Sequence, residues 1–155
     1  MRKIIRRGFT MLELLGILAI GVILIGIAFL IFTTIWGQTQ ARAEADKVRS
    51  FILSLENYVQ DKGYYPAVTC DATTWNTDTT CQEISAYLGD LTTQGISFTC
   101  TAGANPQVRT PAYEPDIAVQ VKTKVEKIQG WSCTINTDNS VTCTNTLKTC
   151  SSVVN

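Results

Sequence analysis

Residues 9 to 36 read FTMLELLGILAIGVILIGIAFLIFTTIW, and this stretch decides the fold of the chain. The nineteen residues from Leu14 to Phe32 carry no charge. A helix rises 1.5 Å per residue, so this run makes a rod of roughly 28 Å, close to the hydrocarbon thickness of a bilayer. We therefore predict a membrane-spanning helix.

The charges before this stretch predict its orientation. Every basic residue of the N-terminal segment precedes the apolar run: Arg2, Lys3, Arg6 and Arg7. The positive-inside rule then keeps the N-terminus in the cytoplasm and sends residues 38 to 155 across the membrane. The apolar run is too long for an ordinary secretory signal, whose apolar region has about 7 to 15 residues. We expect a single-pass protein of the inner (cytoplasmic) membrane.

Glu13 is a carboxylate just inside the leading edge of the apolar run. An ionised carboxylate facing lipid costs roughly 2.5 to 3.5 kcal/mol, so it needs a partner. No Lys, Arg or His lies between Arg7 and Arg42. Cleavage between Gly8 and Phe9 would create a cation, the new α-amine. That amine would lie about one turn from Glu13 of its own chain, and within reach of Glu13 of a neighbour in a staggered bundle.

The segment Arg7-Gly8-Phe9-Thr10-Met11-Leu12-Glu13 resembles the class III signal of type IV pilins and type II secretion pseudopilins. The resemblance implies that a membrane peptidase cuts after Gly8 and methylates Phe9. It also implies that Glu13 docks each subunit into a growing helical fibre. The eight-residue leader, residues 1–8, is similar to the type IVa-like or pseudopilin branch. The alternative is a plain signal anchor in which Glu13 has no role in assembly.

Residues 37–63 continue as the amphipathic half of the same helix. One apolar stripe recurs at intervals of four and three: Ala41, Ala45, Val48, Ile52, Leu55 and Val59. We predict that a sheet covers this stripe, and a heptad-paired dimer is the competing interpretation. Gly63 supplies the stop.

The helix exit adds to the resemblance. Leu55-Glu56-Asn57-Tyr58, followed by Asp61-Lys62-Gly63-Tyr64-Tyr65-Pro66, is similar to the "LExY…DxGxYP" pattern of pseudopilins and many pilins. A capped helix end with aromatic packing would give the same pattern. The resemblance covers about residues 1–66.

Residues 64–155 form the predicted globular domain. The first part, residues 64–94, is rich in Thr, Asp and Asn and matches the position of the variable αβ loop in the family. A short helix is expected over Glu83 to Leu91. Trp75 is either an exposed contact residue or a loop anchor packed on the domain, and we favour the anchor.

The second part, residues 95–155, carries β patterns. Apolar residues alternate over 96–100, 117–121 and 131–135, and a strand from Val141 follows a turn at 137–140. Residues 102–115 are predicted as a connecting loop because they contain three prolines. The predicted fold class is α+β and pilin-like, with the long helix packed on an antiparallel sheet of about four strands.

All six cysteines lie beyond the apolar run, where disulfides persist: Cys70, Cys81, Cys100, Cys133, Cys143 and Cys150. Fifteen pairings are possible. Cys70 with Cys81 would close the Thr-rich loop, and Cys133 with Cys143 would bridge a hairpin, which leaves Cys100 with Cys150. A zinc site is the weaker alternative, since the chain has no His and no CxxC spacing.

Composition argues against catalysis and nucleic-acid binding. Without residues 1–8 the chain keeps nine Lys and Arg against 13 Asp and Glu, a mildly acidic balance of −4. It has no His, no Gly-rich phosphate loop and no nucleophile elbow. We expect no enzyme activity, no cofactor and no metal, and we expect Glu114 and Asp116 to be solvated.

The expected function is structural. The subunit would be stored in the lipid bilayer, processed by a prepilin peptidase/methyltransferase, and extracted by an assembly platform and motor into a homo-oligomeric filament outside the cell. Such a filament would serve adhesion, motility or DNA uptake. One alternative is a minor pilin or a periplasmic type II secretion pseudopilin, and another is a membrane-anchored adhesin whose 67–94 loop binds a ligand.

Overall fold

The computed structural model describes residues 10–151, and they form the predicted α+β architecture. The helices are α1 (Met11–Lys62), α2 (Thr79–Leu88) and α3 (Pro115–Val125), with a 3₁₀ helix at Gly89–Gln94. The strands are β1 (Tyr65–Pro66), β2 (Thr69–Cys70), β3 (Ser97–Thr99), β4 (Gln107–Ala112), β5 (Trp131–Ile135), β6 (Ser140–Asn145) and β7 (Cys150–Ser151). The chain divides into two compact units, and the boundary lies between Thr39 and Gln40.

The first unit is an apolar helix without a core of its own. Large apolar side chains between Met11 and Trp36 are from 52% to 86% exposed, on every side of α1. The most apolar stretch of 18 residues has a mean hydropathy of 3.1 and none of it is buried. Within residues 10–151, α1 is the one helix long and apolar enough to cross a membrane.

In the second unit, the amphipathic half of α1 packs on an antiparallel sheet. The predicted stripe is buried throughout: Ala41, Ala45, Val48, Ile52, Leu55 and Val59 are at most 6% exposed. The predicted stop is confirmed, because Gly63 has φ of 83° and its N–H donates to the Val59 carbonyl at 2.8 Å. The sheet therefore covers the stripe within one chain, as predicted.

The sheet has five strands, one more than predicted. Their order is β2-β3-β4-β6-β5, and every neighbouring pair is antiparallel. The β5–β6 hairpin is confirmed, with Asn139 at a φ of 59° in its turn. A separate parallel pair joins β1 to β7, so the end of the described chain returns to the exit of α1.

The strand predicted over residues 117–121 is wrong, because this segment belongs to α3. Its buried residues are Ala118, Val121 and Val125, at helical spacing, whereas Val119 is 53% exposed. Pro115 occupies the first turn, where a missing N–H costs nothing. A three-residue alternation fits one turn of helix as well as a strand, and packing against β5 and β6 decides between them.

The loop predicted over residues 102–115 is also wrong in its central part, which is β4. This strand lies in the middle of the sheet, although Pro111 has no N–H to donate. The register shifts between Arg109 and Ala112, so the proline falls at an irregularity. At this irregularity the Val141 N–H donates to the Thr110 hydroxyl at 2.9 Å. The hydroxyl takes the place of the backbone carbonyl that would accept this bond in a regular ladder.

The Thr-rich loop is anchored by Trp75. This side chain is 2% exposed, and its Nε1–H donates to the Ile96 carbonyl at 3.3 Å. Its ring meets Phe51 of α1 edge-on at 6.0 Å. The anchor interpretation is therefore the right one. The helix after this loop, α2, begins at Thr79, earlier than predicted, because Asp78 caps it.

Three disulfides staple the second unit. They join the same pairs that the sequence analysis put forward: Cys70–Cys81, Cys100–Cys150 and Cys133–Cys143. The first ties β2 to α2, the second ties the end of β3 to β7, and the third joins opposite residues of β5 and β6. No cysteine of the described chain is free.

Candidate functional site

The candidate assembly site is only partly within the described chain. Gly8 and Phe9, the predicted cleavage and methylation residues, lie outside residues 10–151. Glu13, the predicted assembly residue, lies in the first turn of α1.

Glu13 forms a capping box with Thr10. The backbone N–H and the hydroxyl of Thr10 both donate to Glu13 Oε2 at 3.0 Å, and the Glu13 N–H donates to the Thr10 hydroxyl at 3.3 Å. Two unpaired N–H groups at the start of the helix are thereby satisfied. Glu13 thus has a hydrogen-bond partner in its own chain, Thr10, whereas the sequence led us to expect a cation as its partner.

The capping box uses one oxygen of the carboxylate. Among residues 10–151, Glu13 Oε1 has no hydrogen-bond partner. It can accept a further bond while Oε2 stays on Thr10, because an ionised carboxylate offers several acceptor sites. Capping and docking are therefore compatible roles for this residue.

The second feature is the exposed helix from Leu14 to Trp36, which we call the apolar rod. On it, Ile25, Ala28, Phe29 and Phe32 line a shallow apolar depression. Three glycines on the rod, Gly16, Gly21 and Gly26, have no other atom within 4 Å of where a Cβ would lie. An exposed apolar surface with small residues on it is typical of a helix that packs in lipid or against another apolar helix.

Glu56, which the sequence shows only as part of the helix-exit pattern, is a structural residue. Its Oε1 accepts three hydrogen bonds, from Tyr65 Oη at 2.6 Å, Trp131 Nε1 at 2.9 Å and Asn145 Nδ2 at 3.0 Å. Burial, together with the bond to Glu56, raises the pKa of the Tyr65 phenol. Glu56 follows Ile52 by four residues and Leu55 by one, so the helical period places it beside the buried stripe.

Within the described part of the chain, no three His, Cys, Asp or Glu side chains are grouped so that they could hold a metal ion. The features of the described chain that bear on function are the apolar rod, the capping box before it, and the disulfide-bonded second unit. Comparisons of the chain with protein-family models, with curated proteins and with solved structures find no match.

Proposed function

We propose that the chain is a structural subunit of a type IV pilus-like surface filament, cleaved after Gly8 and methylated at Phe9. The observation that supports this most is the apolar rod, which no other part of the described chain covers. An apolar surface of this extent is unstable in water. It requires lipid around it, or other rods, and a filament subunit uses both in turn.

The proposed cycle begins in the inner membrane, with the N-terminus in the cytoplasm and the second unit outside. A prepilin peptidase/methyltransferase removes residues 1–8, and an assembly platform with its motor extracts the subunit. Neighbouring rods then pack together in the filament core. The oxygen of Glu13 that the capping box leaves free accepts from the Phe9 amine of a neighbour, which sets the axial register.

The test separates the two roles of Glu13. Glu13→Gln keeps a side chain that can complete the capping box but removes the charge, whereas Thr10→Ala removes the cap and keeps the charge. Glu13→Ala removes both. If charge sets register, Glu13→Gln and Glu13→Ala lose most filaments and Thr10→Ala retains them. Electron microscopy of sheared cells gives the filament yield.

Mass spectrometry of each variant supplies the control. All three must begin at the methylated Phe9, so that loss of filaments is not loss of processing. Normal filament yield from Glu13→Gln would overturn the register role, and a wild-type subunit that still begins at Met1 would overturn the proposal as a whole. The share of this chain in the sheared fraction separates a main subunit from a minor pilin or pseudopilin.

A further inference from the structure

A basic cleft lies on the second unit, between the start of its part of α1 and one face of α3. It has a volume of about 270 Å³ and is lined by Arg42, Gln120, Thr123, Lys124 and Lys127. The α3 residues recur at helical spacing on the side of the helix away from its buried residues. The turn after α3 supplies Lys127.

The charge of the basic cleft is only partly neutralised. Lys124 donates to the carboxylate of Asp46 on α1. Among residues 10–151, neither the guanidinium of Arg42 nor the ammonium of Lys127 has an ion-pair or hydrogen-bond partner. Three cations and one carboxylate leave an excess of two positive charges, in a chain whose mature balance is acidic. The cleft therefore suits an anion.

The position of Arg42 in the chain limits how far this anion lies from the membrane. Arg42 lies only six positions after Trp36, the last aromatic residue of the apolar rod. Six residues span at most about 20 Å even when fully extended. Trp is enriched at the membrane interface, where phosphate groups of the lipids lie. The cleft is therefore close to the headgroup layer whenever the rod is in a bilayer.

We infer that the basic cleft binds the phosphate of an anionic phospholipid on the outer surface of the membrane that stores the subunit. This rests on the proposed function for the insertion of the apolar rod. Guanidinium pairs with phosphate through two parallel hydrogen bonds, the lysines add charge, and the Gln120 amide is a further donor. Extraction of the subunit from the bilayer breaks this contact.

The experiment is native mass spectrometry of the uncut full-length chain in mild detergent, with equal amounts of phosphatidylglycerol and phosphatidylcholine of the same acyl chains. Wild type is expected to retain phosphatidylglycerol preferentially. Arg42→Gln and Lys127→Gln should each reduce that preference about fivefold, the usual effect of one basic charge at an anionic surface. Inorganic phosphate at millimolar concentration should not displace the lipid.

The matched control is Lys148→Gln, which removes one exposed lysine elsewhere on the second unit. The backbone N–H of Lys148 donates to the side chain of Asn145, and the Asn145 amide in turn donates to Glu56. Glu56 lies fourteen residues along α1 from Arg42, which is about 21 Å of helix. Lys148→Gln should keep the wild-type lipid preference. Equal loss of preference in all three variants would show a general charge effect and overturn the inference.

Two further results would also overturn it. If inorganic phosphate displaces the lipid, the cleft is a site for free phosphate. If Arg42→Gln and Lys127→Gln keep the lipid preference but lose filaments, the cleft receives an acidic side chain of a second copy. Because the measurement uses uncut, unassembled protein, failure of lipid binding and failure of filament formation are read separately.

Discussion

At the scale of single residues, the carboxylate of Glu56 connects α1 to the sheet. One oxygen accepts from a side chain of β1 and from side chains of the β5–β6 hairpin, which lies more than sixty residues later in the chain. Hydrogen bonds to a charged acceptor contribute about 1.5 to 3 kcal/mol each, and a buried donor left without a partner costs about 1 to 3 kcal/mol. This residue therefore fixes how the helix lies on the sheet.

We predict that Glu56→Ala lowers the free energy of unfolding by about 3 kcal/mol, because Tyr65, Trp131 and Asn145 all lose their charged acceptor. Glu56→Gln keeps an acceptor oxygen of the same shape and should cost less than half as much. Urea unfolding of the full chain in detergent, followed by tryptophan fluorescence, measures both. An equal cost for the two variants would contradict this account, and Asn57→Ala, an exposed neighbour, serves as control.

Tyr58 makes stability depend on alkaline pH. Its side chain is 1% exposed, and burial raises its pKa to about 12, with smaller contributions from Tyr64 and Glu83. An unfolded tyrosine has a pKa of about 10. The folded state therefore holds this proton more tightly, so its stabilisation is complete below pH 10 and is lost as the pH rises from 10 toward 12.

We expect Tyr58→Phe to flatten the decrease in unfolding free energy between about pH 10 and about pH 12, because the titrating group is gone while the ring still packs on Tyr87 at 5.3 Å. Urea unfolding at three pH values measures the slope. Tyr65 and Tyr113, whose pKa values are also raised by burial, should leave a residual slope. An unchanged slope in Tyr58→Phe would rule out its contribution.

At the scale of elements, the start of α2 depends on Asp78, the capping residue just before the helix. Asp78 Oδ1 accepts from the N–H groups of Thr80 at 2.8 Å and Cys81 at 3.1 Å. We predict that Asp78→Ala lowers the free energy of unfolding by about 1 kcal/mol, whereas Asp78→Ser, another good cap, has an effect of a few tenths. Thermal unfolding compares the two, and equal losses would mean that the cap is not the cause.

The elements differ in how far the sequence predicts them. The second half of α1 and its stop at Gly63 are predictable, because the apolar stripe from Ala41 to Val59 keeps one helical period and a glycine ends the helix. α3 is not, since Ile117, Val119 and Val121 alternate by two while the deciding residues are Ala118 and Val125. β4 is not predictable either, because Pro111 is unusual in a central strand. The Thr110 hydroxyl accepts from the Val141 N–H at this irregular point, and only the folded sheet brings those two residues together.

The same limit applies to the candidate site. The pattern from Gly8 to Glu13 is readable because all its residues are local, and so is the capping box between Thr10 and Glu13. The basic cleft and two of the three contacts of Glu56 join residues more than seventy positions apart. Such contacts follow from the topology of the sheet, which periodicity does not specify.

At the scale of the whole molecule, apolar surface is divided unequally between the two units. Every residue of the buried core lies at or after Ala41, whereas the large exposed apolar residues concentrate between Met11 and Trp36. In the second unit, exposed apolar residues such as Leu53 and Leu147 are scattered singly, which is normal for a soluble surface. The second unit therefore carries its own source of stability.

We predict that residues 40–155, expressed in an oxidising compartment, form a soluble monomer with three disulfides and a helix over residues 40–62. The reason is that the whole stripe from Ala41 to Val59 keeps its sheet, and the three bridges close within the fragment. Size-exclusion chromatography, circular dichroism and disulfide mapping check this.

A fragment starting at residue 50 is the control, because it removes Ala41, Ala45 and Val48 from the core and should unfold at a lower temperature. Aggregation of the longer fragment would mean that the apolar rod is needed for folding. It would contradict the account in which the rod serves packing and the second unit folds alone.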